Sequence, residues 1–353
     1  MASNFQSLGR PDPILLDGIG FGQPPEAFIS ERLPCIVDAS GGKYAGNIVS
    51  HPLAMLLGDK ALVTGQRLKR APGSRYAEPF TGYDLIETAY QCVERSGVVV
   101  IEDQDIERAG ALADRKRAQV LAPVWATMRL QAEYETVAKV FDTATYATAA
   151  LAALGYGSTQ VAWTAANSLP INDGRAVHET IRAATGVRAS YGVISHDVAE
   201  YLSKHPQILG MRVVGDIADG PTSQLLPRQV LDYAELTAIL ARAWGLPDGV
   251  FVADAVYNNA MPGQSVSLAE LSTGKVAFHT AQGARSAIQT SAMSIELGAG
   301  PCSLVIAREK RFQLLTDRVT NPHGEQHTIK HSFGLATPSN MTSAAFVLTA
   351  CLG

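Results

Sequence analysis

The segment from His178 to Ile208 constrains the fold more than any other. A helix that starts at Asp173 meets Gly186, a natural left-handed stop. Tyr191 to Ile194 then forms a short apolar run with strand composition. Ser195 is placed to cap a second helix, with Asp197 in its first turn where the helix dipole favours an anion. His205-Pro206 closes that helix. A helix, a buried strand and a second helix in so few residues imply helices packed on a sheet, with no catalytic group obviously presented.

The same alternation runs from about 146 to 305. Asp232 to Trp244 reads as a helix stopped by Gly245 and Pro247. Val250 to Val256 and Gly274 to Thr280 read as buried strands. Toward the end, Phe312 to Val319 and His327 to Phe333 flank a turn at Asn321-Pro322-His323-Gly324-Glu325, which predicts a hairpin. Ala344 to Leu352 is a last strand.

The first part of the chain is less regular. Residues 1 to about 33 carry Pro and Gly with few periodic apolar positions. They read as an arm that gains order by lying on something else, or as a disordered terminus. Cys35 to Asp38 is a strand candidate. Gly41 to Phe80 shows no core pattern and has lopsided charge: Lys43, Lys60, Arg67, Lys69, Arg70 and Arg75 against Asp59 and Glu78. A stretch of that length without a core usually reaches outward or carries function. Tyr83 to Val93 alternates loosely, and Val98 to Ile101 is strand-like.

Asp103 to Phe141 is the longest helical pattern. Ile106, Ala109, Ala113, Val120, Val124, Met128, Tyr134, Val137 and Phe141 fall at helical steps. Pro123 is expected to bend or split it. Glu133 and Glu135 fit its outer surface.

The 353 residues suggest two or three folding units. Charged residues are 18% of the chain, below the usual quarter, which suits either a large core or a surface covered by neighbours. A net charge of −4 gives no global basic field for nucleic acid. Cys35, Cys92, Cys302 and Cys351 lie far apart in apolar contexts and read as buried thiols rather than disulfides or zinc ligands. The N-terminus lacks the charged lead and apolar block of a signal peptide. No apolar run approaches the roughly 18 residues of a membrane span.

Searches for chemistry fail one by one. Gly42-Lys43 and Gly274-Lys275 lack the spacing of a phosphate-binding loop, and Gly18-Ile19-Gly20-Phe21-Gly22 has Gln23 where a dinucleotide fingerprint requires Gly. Ser195-His196-Asp197 holds the residue types of a nucleophilic triad, but adjacent residues cannot converge on one another. His323, His327 and His331 recur every fourth residue; on a strand they share a face, so His327 and His331 are weighed as metal ligands against polar residues exposed on a hairpin. No enzymatic activity, metal or cofactor is expected.

The pattern resembles the major capsid proteins of tailed phages with the Hong Kong 97 fold. Glu31-Arg32-Leu33-Pro34 and Gly42-Lys43-Tyr44 resemble the entry to that family's extended loop, and Arg70-Ala71-Pro72-Gly73 its return. Further matches are Ile181-Arg182, Thr185-Gly186, Val193-Ile194-Ser195, Leu202, His205-Pro206 and Ile208. Trp244-Gly245, Asp254-Ala255-Val256-Tyr257-Asn258 and Gly274-Lys275-Val276 extend them.

The resemblance implies an α+β fold in five segments: an N-terminal arm (1–34), an extended loop (35–88), a peripheral domain with a spine helix (89–145), an axial domain (146–305) and a return to the peripheral domain (306–353). It implies a shell subunit that forms hexamers and pentamers around a double-stranded DNA genome, with a nanocompartment shell of the same fold as the alternative and an α/β enzyme behind it. Implied partners are further copies of the chain, portal and scaffolding proteins, decoration proteins as an open addition, and packaged DNA held without sequence specificity; no membrane is implied. The implied location is the virion, after assembly in the host cytoplasm. Lys60, Arg67, Lys69, Arg70 and Arg75 are the candidate contacts to an adjacent subunit. No Lys-to-Asn crosslink through Lys60 or Lys69 and Asn340 is expected.

Overall fold

A computed structural model describes residues 28–39, 44–52, 85–154, 159–216, 230–261, 264–291, 294–298, 300–320 and 323–353. The chain is α+β. After a short turn at Ile29–Glu31 come β1 (Ile36–Asp38), β2 (Ala45–Ser50), β3 (Ile86–Gln91) and β4 (Val93–Glu102). Two helices follow, α1 (Asp103–Ala109) and α2 (Ala113–Val140), then β5 (Ala147–Ala150). The central part holds α3 (Pro170–Thr185), β6 (Tyr191–Ser195), α4 (His196–Leu202), α5 (Pro206–Asp216), α6 (Tyr233–Trp244), β7 (Val250–Ala253), β8 (Val256–Asn258), β9 (Leu268–Glu270), β10 (Val276–His279) and α7 (Gln282–Arg285). β11 (Ile288–Ser291), β12 (Ser294–Glu296), β13 (Val305–Thr320), β14 (His323–Ala336) and β15 (Ala345–Thr349) complete it.

The strands form a five-stranded sheet in the order β5-β15-β10-β6-β7, with β6 and β7 parallel. Its side chains alternate between two cores. Ile194, Val276, Phe278, Phe346 and Leu348 face α3 and α6, with Trp163, Ile181, Leu240 and Trp244 opposite them. Val193, Ala277 and Val347 face the other way, toward Val140, Tyr146 and Leu304. Both faces are therefore covered, and β6 and β10 are buried at every residue. Strands in that position read as continuous apolar runs.

α3 starts at Pro170, earlier than the expected Asp173, because Pro suits a first turn whose N–H groups are unpaired anyway. It ends at Gly186 with φ +76°, as the sequence indicates. Pro206 does not stop the chain's helices; it opens α5. Ser195 does not cap α4 with its side chain. Its Oγ instead donates to Asp197 and accepts from the N–H of Lys275 at 3.2 Å, tying β6 to the entry of β10. α6 does form as read, with Asp232 accepting from the N–H of Glu235 at 2.7 Å and Gly245 at φ +70°.

A second sheet, β1-β13-β14-β4, is built on one long hairpin. β13 has 16 residues and β14 has 14, so the hairpin runs roughly 50 Å. α2 lies along one of its faces, where Leu121, Ala122 and Met128 meet Leu314 and Ile329. Gly97 makes this close approach possible, since a Cβ there would sit 2.3 Å from Val124 Cγ1.

The expected helix from Asp103 to Phe141 breaks at Gly110, where φ is +51°, and not at Pro123. Pro123 is exposed, as is Gln119, whose carbonyl loses its helical partner. The break in the ladder thus falls on the exposed side of the helix, and α2 spans 28 residues in all, about 42 Å.

The third sheet, β11-β12-β2-β3, corrects another expectation. Residues 45–50 lie inside the stretch that showed no core pattern, yet Ile48 and Val49 are buried there. The last strand, β15, is a further correction. It pairs with β10 and β5, so the end of the 306–353 segment belongs to the five-stranded sheet and not with the hairpin.

Candidate interaction surfaces

The turn at residues 28–31 is fixed to α2 by a buried carboxylate. Glu133 is fully buried, and its two oxygens accept the N–H groups of Ile29 at 2.9 Å and Ser30 at 2.8 Å. Burial raises its pKa, against the lowering effect of those N–H donors. Arg129, one turn earlier on α2, lies 4.3 Å from the ring centre of Phe28 and donates to Glu31 at 2.9 Å. Arg308 of β13 donates to the carbonyl of Ser30 at 2.8 Å. Sequence reasoning placed Glu133 on the outer surface. The available signal was an acid inside the stripe Met128, Ala132, Thr136, Val137, Val140. Glu135 is not on the outer surface either: it is half-buried and turned to the sheet, paired with Arg95 of β4.

The end of β2 is held equally firmly. Ser50 Oγ donates to Asn340 Oδ1 at 3.0 Å, and Asn340 Nδ2 donates to the carbonyl of His51 at 3.0 Å. His51 lies 3.4 Å from Glu296 of β12. The candidate contact residues Lys60, Arg67, Lys69, Arg70 and Arg75 lie outside the described residues.

His327 and His331 are neither metal ligands nor exposed. Four strand residues separate them by about 13 Å, too far to share an ion. Both face α2 and are buried. His327 Nδ1 pairs with Thr316 Oγ1 at 3.0 Å, and the His331 ring packs between Phe312 and Phe333. Burial pulls the pKa of His331 down to about 4. Among the described residues no group of three or more His, Cys, Asp or Glu is placed to hold a metal. All four cysteines are free and buried, as expected.

Ser195 and Asp197 share a hydrogen bond that His196 does not join. The carboxylate of Asp197 accepts from the N–H of Gly274 at 2.7 Å, whereas His196 turns to Asp254 and Tyr233. A further histidine marks the joint between the two bodies. His279 of β10 is fully buried, with Nε2 3.0 Å from the carbonyl of Val140 at the end of α2 and Nδ1 3.0 Å from Ser303 Oγ. The carbonyl can only accept, so Nε2 carries the proton and Nδ1 accepts. Burial lowers its pKa to about 4.

The hairpin sheet leaves one surface uncovered. Val98 and Val100 of β4 are 53% and 40% exposed on the face opposite α2. Exposed apolar side chains also stand at the tip of the β8–β9 ribbon, where Met261, Val266 and Leu268 are each near 70% exposed.

No protein-family model and no curated protein matches this chain. Solved structures do. A phage-related protein from Bordetella bronchiseptica RB50 is 15% identical, with a TM-score of 0.60 over 98% of both chains. A virus-like particle from Pyrococcus furiosus is 11% identical at a TM-score of 0.47, covering 95% of this chain and 96% of that one. The capsid of cyanophage P-SCSP1u is 12% identical at 0.46, covering 93% and 89%. The chain thus shares, from end to end, the fold of a phage-related protein.

Proposed function

We propose that this chain is the major capsid protein of a double-stranded DNA tailed phage or prophage, a shell tile of the Hong Kong 97 fold with no enzymatic role. The observation that carries the reading is the end-to-end likeness to a phage-related protein, with 98% of each chain covered. The architecture supports it. A spine helix and a long hairpin form one elongated body, and the doubly covered sheet forms another. An arm and an excursion leave from anchored roots.

In this reading 1–34 is the arm, 35–88 the extended loop, 89–145 and the hairpin the peripheral domain, and 146–305 with β15 the axial domain. Copies assemble into hexamers and pentamers, with portal and scaffolding proteins, around packaged DNA in the virion. Interfaces of such obligate assemblies bury roughly 2,000 Å² or more. The engagement of Asn340 with Ser50 and His51 supports a shell without a Lys-to-Asn crosslink.

Light scattering and negative-stain imaging of the purified chain test the reading: closed particles are expected, and a discrete monomer or dimer at all concentrations overturns it. Nucleic acid inside native particles separates a phage head from a nanocompartment. Charge reversal at Arg70 and Arg75 is expected to impair particle formation while leaving the circular dichroism of the subunit unchanged.

A further inference from the structure

Residues 28–33 lie between the two bodies and touch both. From the hairpin body, Glu133 and Arg129 of α2 hold Ile29, Ser30 and Glu31, and Arg308 of β13 holds the carbonyl of Ser30. From the sheet body, the ring of Phe251 in β7, an edge strand, lies 5.6 Å from the guanidinium carbon of Arg32. Phe28 makes the decisive contact. It is buried, and it packs with Leu130, Ala255 and Leu271. Leu130 belongs to α2. Ala255 immediately precedes β8 and Leu271 immediately follows β9, so Phe28 is wedged between the spine helix and the base of the β8–β9 ribbon.

That base decides where the ribbon points. Two short strands alone are marginal in water, so their direction is set by what holds them at the root. Glu270, the last residue of β9, ties the root to the N–H of Asp197, and Phe28 packs against it. The ribbon itself is stiffened from within, since Asn258 Oδ1 accepts the N–H groups of Ala260 and Ser267, each at 3.0 Å. No charged residue occurs from Val256 to Ala269, and Met261, Val266 and Leu268 are exposed along it. A stiff ribbon turns as a lever when the wedge at its root shifts. We propose that residues 28–33 are a latch that sets the pose of this apolar ribbon. Residues 1–27 run directly into the latch, so a partner that holds them acts on the ribbon. Such coupling is reciprocal: a ribbon held in place tightens the latch. The device joins two parts of one chain and goes beyond the shell reading.

The test is a distance measurement on the dispersed full-length chain. Gln119→Cys on α2 and Ser265→Cys on the ribbon carry spin labels; both positions are exposed, and the native cysteines are buried. Pulsed dipolar spectroscopy is expected to give one narrow distance distribution, and adding Phe28→Ala is expected to broaden or shift it. A distribution unchanged by Phe28→Ala overturns the proposal. Should that variant fail to fold, Glu133→Gln frees the same turn from the α2 side, because an amide offers one acceptor oxygen where two N–H groups each use one; the same two outcomes decide. Reciprocity supplies the second measurement. Leu271→Ala, at the ribbon's root, is expected to speed amide exchange at Ile29 and Ser30 about tenfold. Unchanged exchange there overturns the latch, and so does an equal acceleration in β10, which would mean general loosening. Neither measurement needs assembled particles, so a failed latch leaves the shell reading standing and a failed shell reading leaves the latch.

Discussion

The five-stranded sheet and the hairpin sheet solve burial differently. β6 is buried at all five positions, with helices on one side and the joint with α2 on the other. β4 alternates along most of its length, because α2 covers one face and the opposite face is open. Side chains in the first sheet are fixed by contacts within one chain. Those on the open face of the second have no such constraint. A change in the first should therefore appear as lost subunit stability, and a change on the open face as lost association.

Acid should produce the largest effect. Burial holds His178, His279 and His331 near pKa 4, below the ordinary 6.5. The unfolded chain then binds more protons than the folded one between those values. Stability is full above about pH 6.5 and falls as the pH drops toward 4. Each histidine accounts for on the order of 3 kcal/mol by the bottom of that window. His178 faces Phe278 in the first body and His279 sits at the joint, so the first body should open earliest. In a Trp125→Phe variant the remaining tryptophans, Trp163 and Trp244, both report on it. Urea midpoints of their fluorescence should fall steeply between pH 6.5 and 4.5. A flat midpoint across that window would contradict the buried neutral histidines.

Phe278→Ala comes next. Phe278 is fully buried between the His178 and Trp244 rings. Truncation at such a site costs about 3–5 kcal/mol. Denaturant titration of the dispersed subunit at pH 7.5 should show that loss, and a cost near that of a surface change would mean the sheet's helix-facing side is poorly packed.

The same contrast explains what could be read beforehand. In the first body the signals are local: Asp232 and Gly245 bracket α6, Gly186 ends α3, and β6 is an unbroken apolar run. The missed strands β2, β5, β8, β9, β11 and β12 are three to six residues long, too short to show a pattern of their own, and β2, β5 and β12 pair with strands distant in sequence. Pro123 misled because its cost depends on which way the helix faces. Both Pro123 and Gln119 lie on the exposed side of the helix, where water can replace the lost bond. Gly110 broke the pattern because only the backbone demanded a positive φ there. Glu133 was read as a surface acid because its partners are backbone N–H groups 103 and 104 residues away. The apolar arrangement of β4 was legible. That one of its faces stays uncovered was not, since alternation cannot say what covers either side.

Glu133→Ala probes the link between α2 and the turn at residues 28–31. It leaves the N–H groups of Ile29 and Ser30 without acceptors, a cost of about 1–3 kcal/mol. The loss should be local. Hydrogen exchange at 29–31 should accelerate strongly, with little change at β6 or β10. Equal acceleration throughout would mean that this turn is part of the core instead of a clamp upon it.

Val98→Ala should have the smallest effect on the subunit and decides most about the comparison. Val98 is 53% exposed and faces away from α2. Surface changes of this kind move stability by less than about 0.5 kcal/mol. Ile194→Ala, the matching truncation in a fully covered strand, should cost about 2–5 kcal/mol. If the open face is a seat for a second copy, the order reverses in an association assay. Val98→Ala should raise the concentration needed for particle formation even though its melting is unchanged. Ile194→Ala should affect association only through the fraction of folded subunit. Measuring both variants in both assays separates the two kinds of burial: parallel losses in the two assays would mean that Val98 serves its own chain after all.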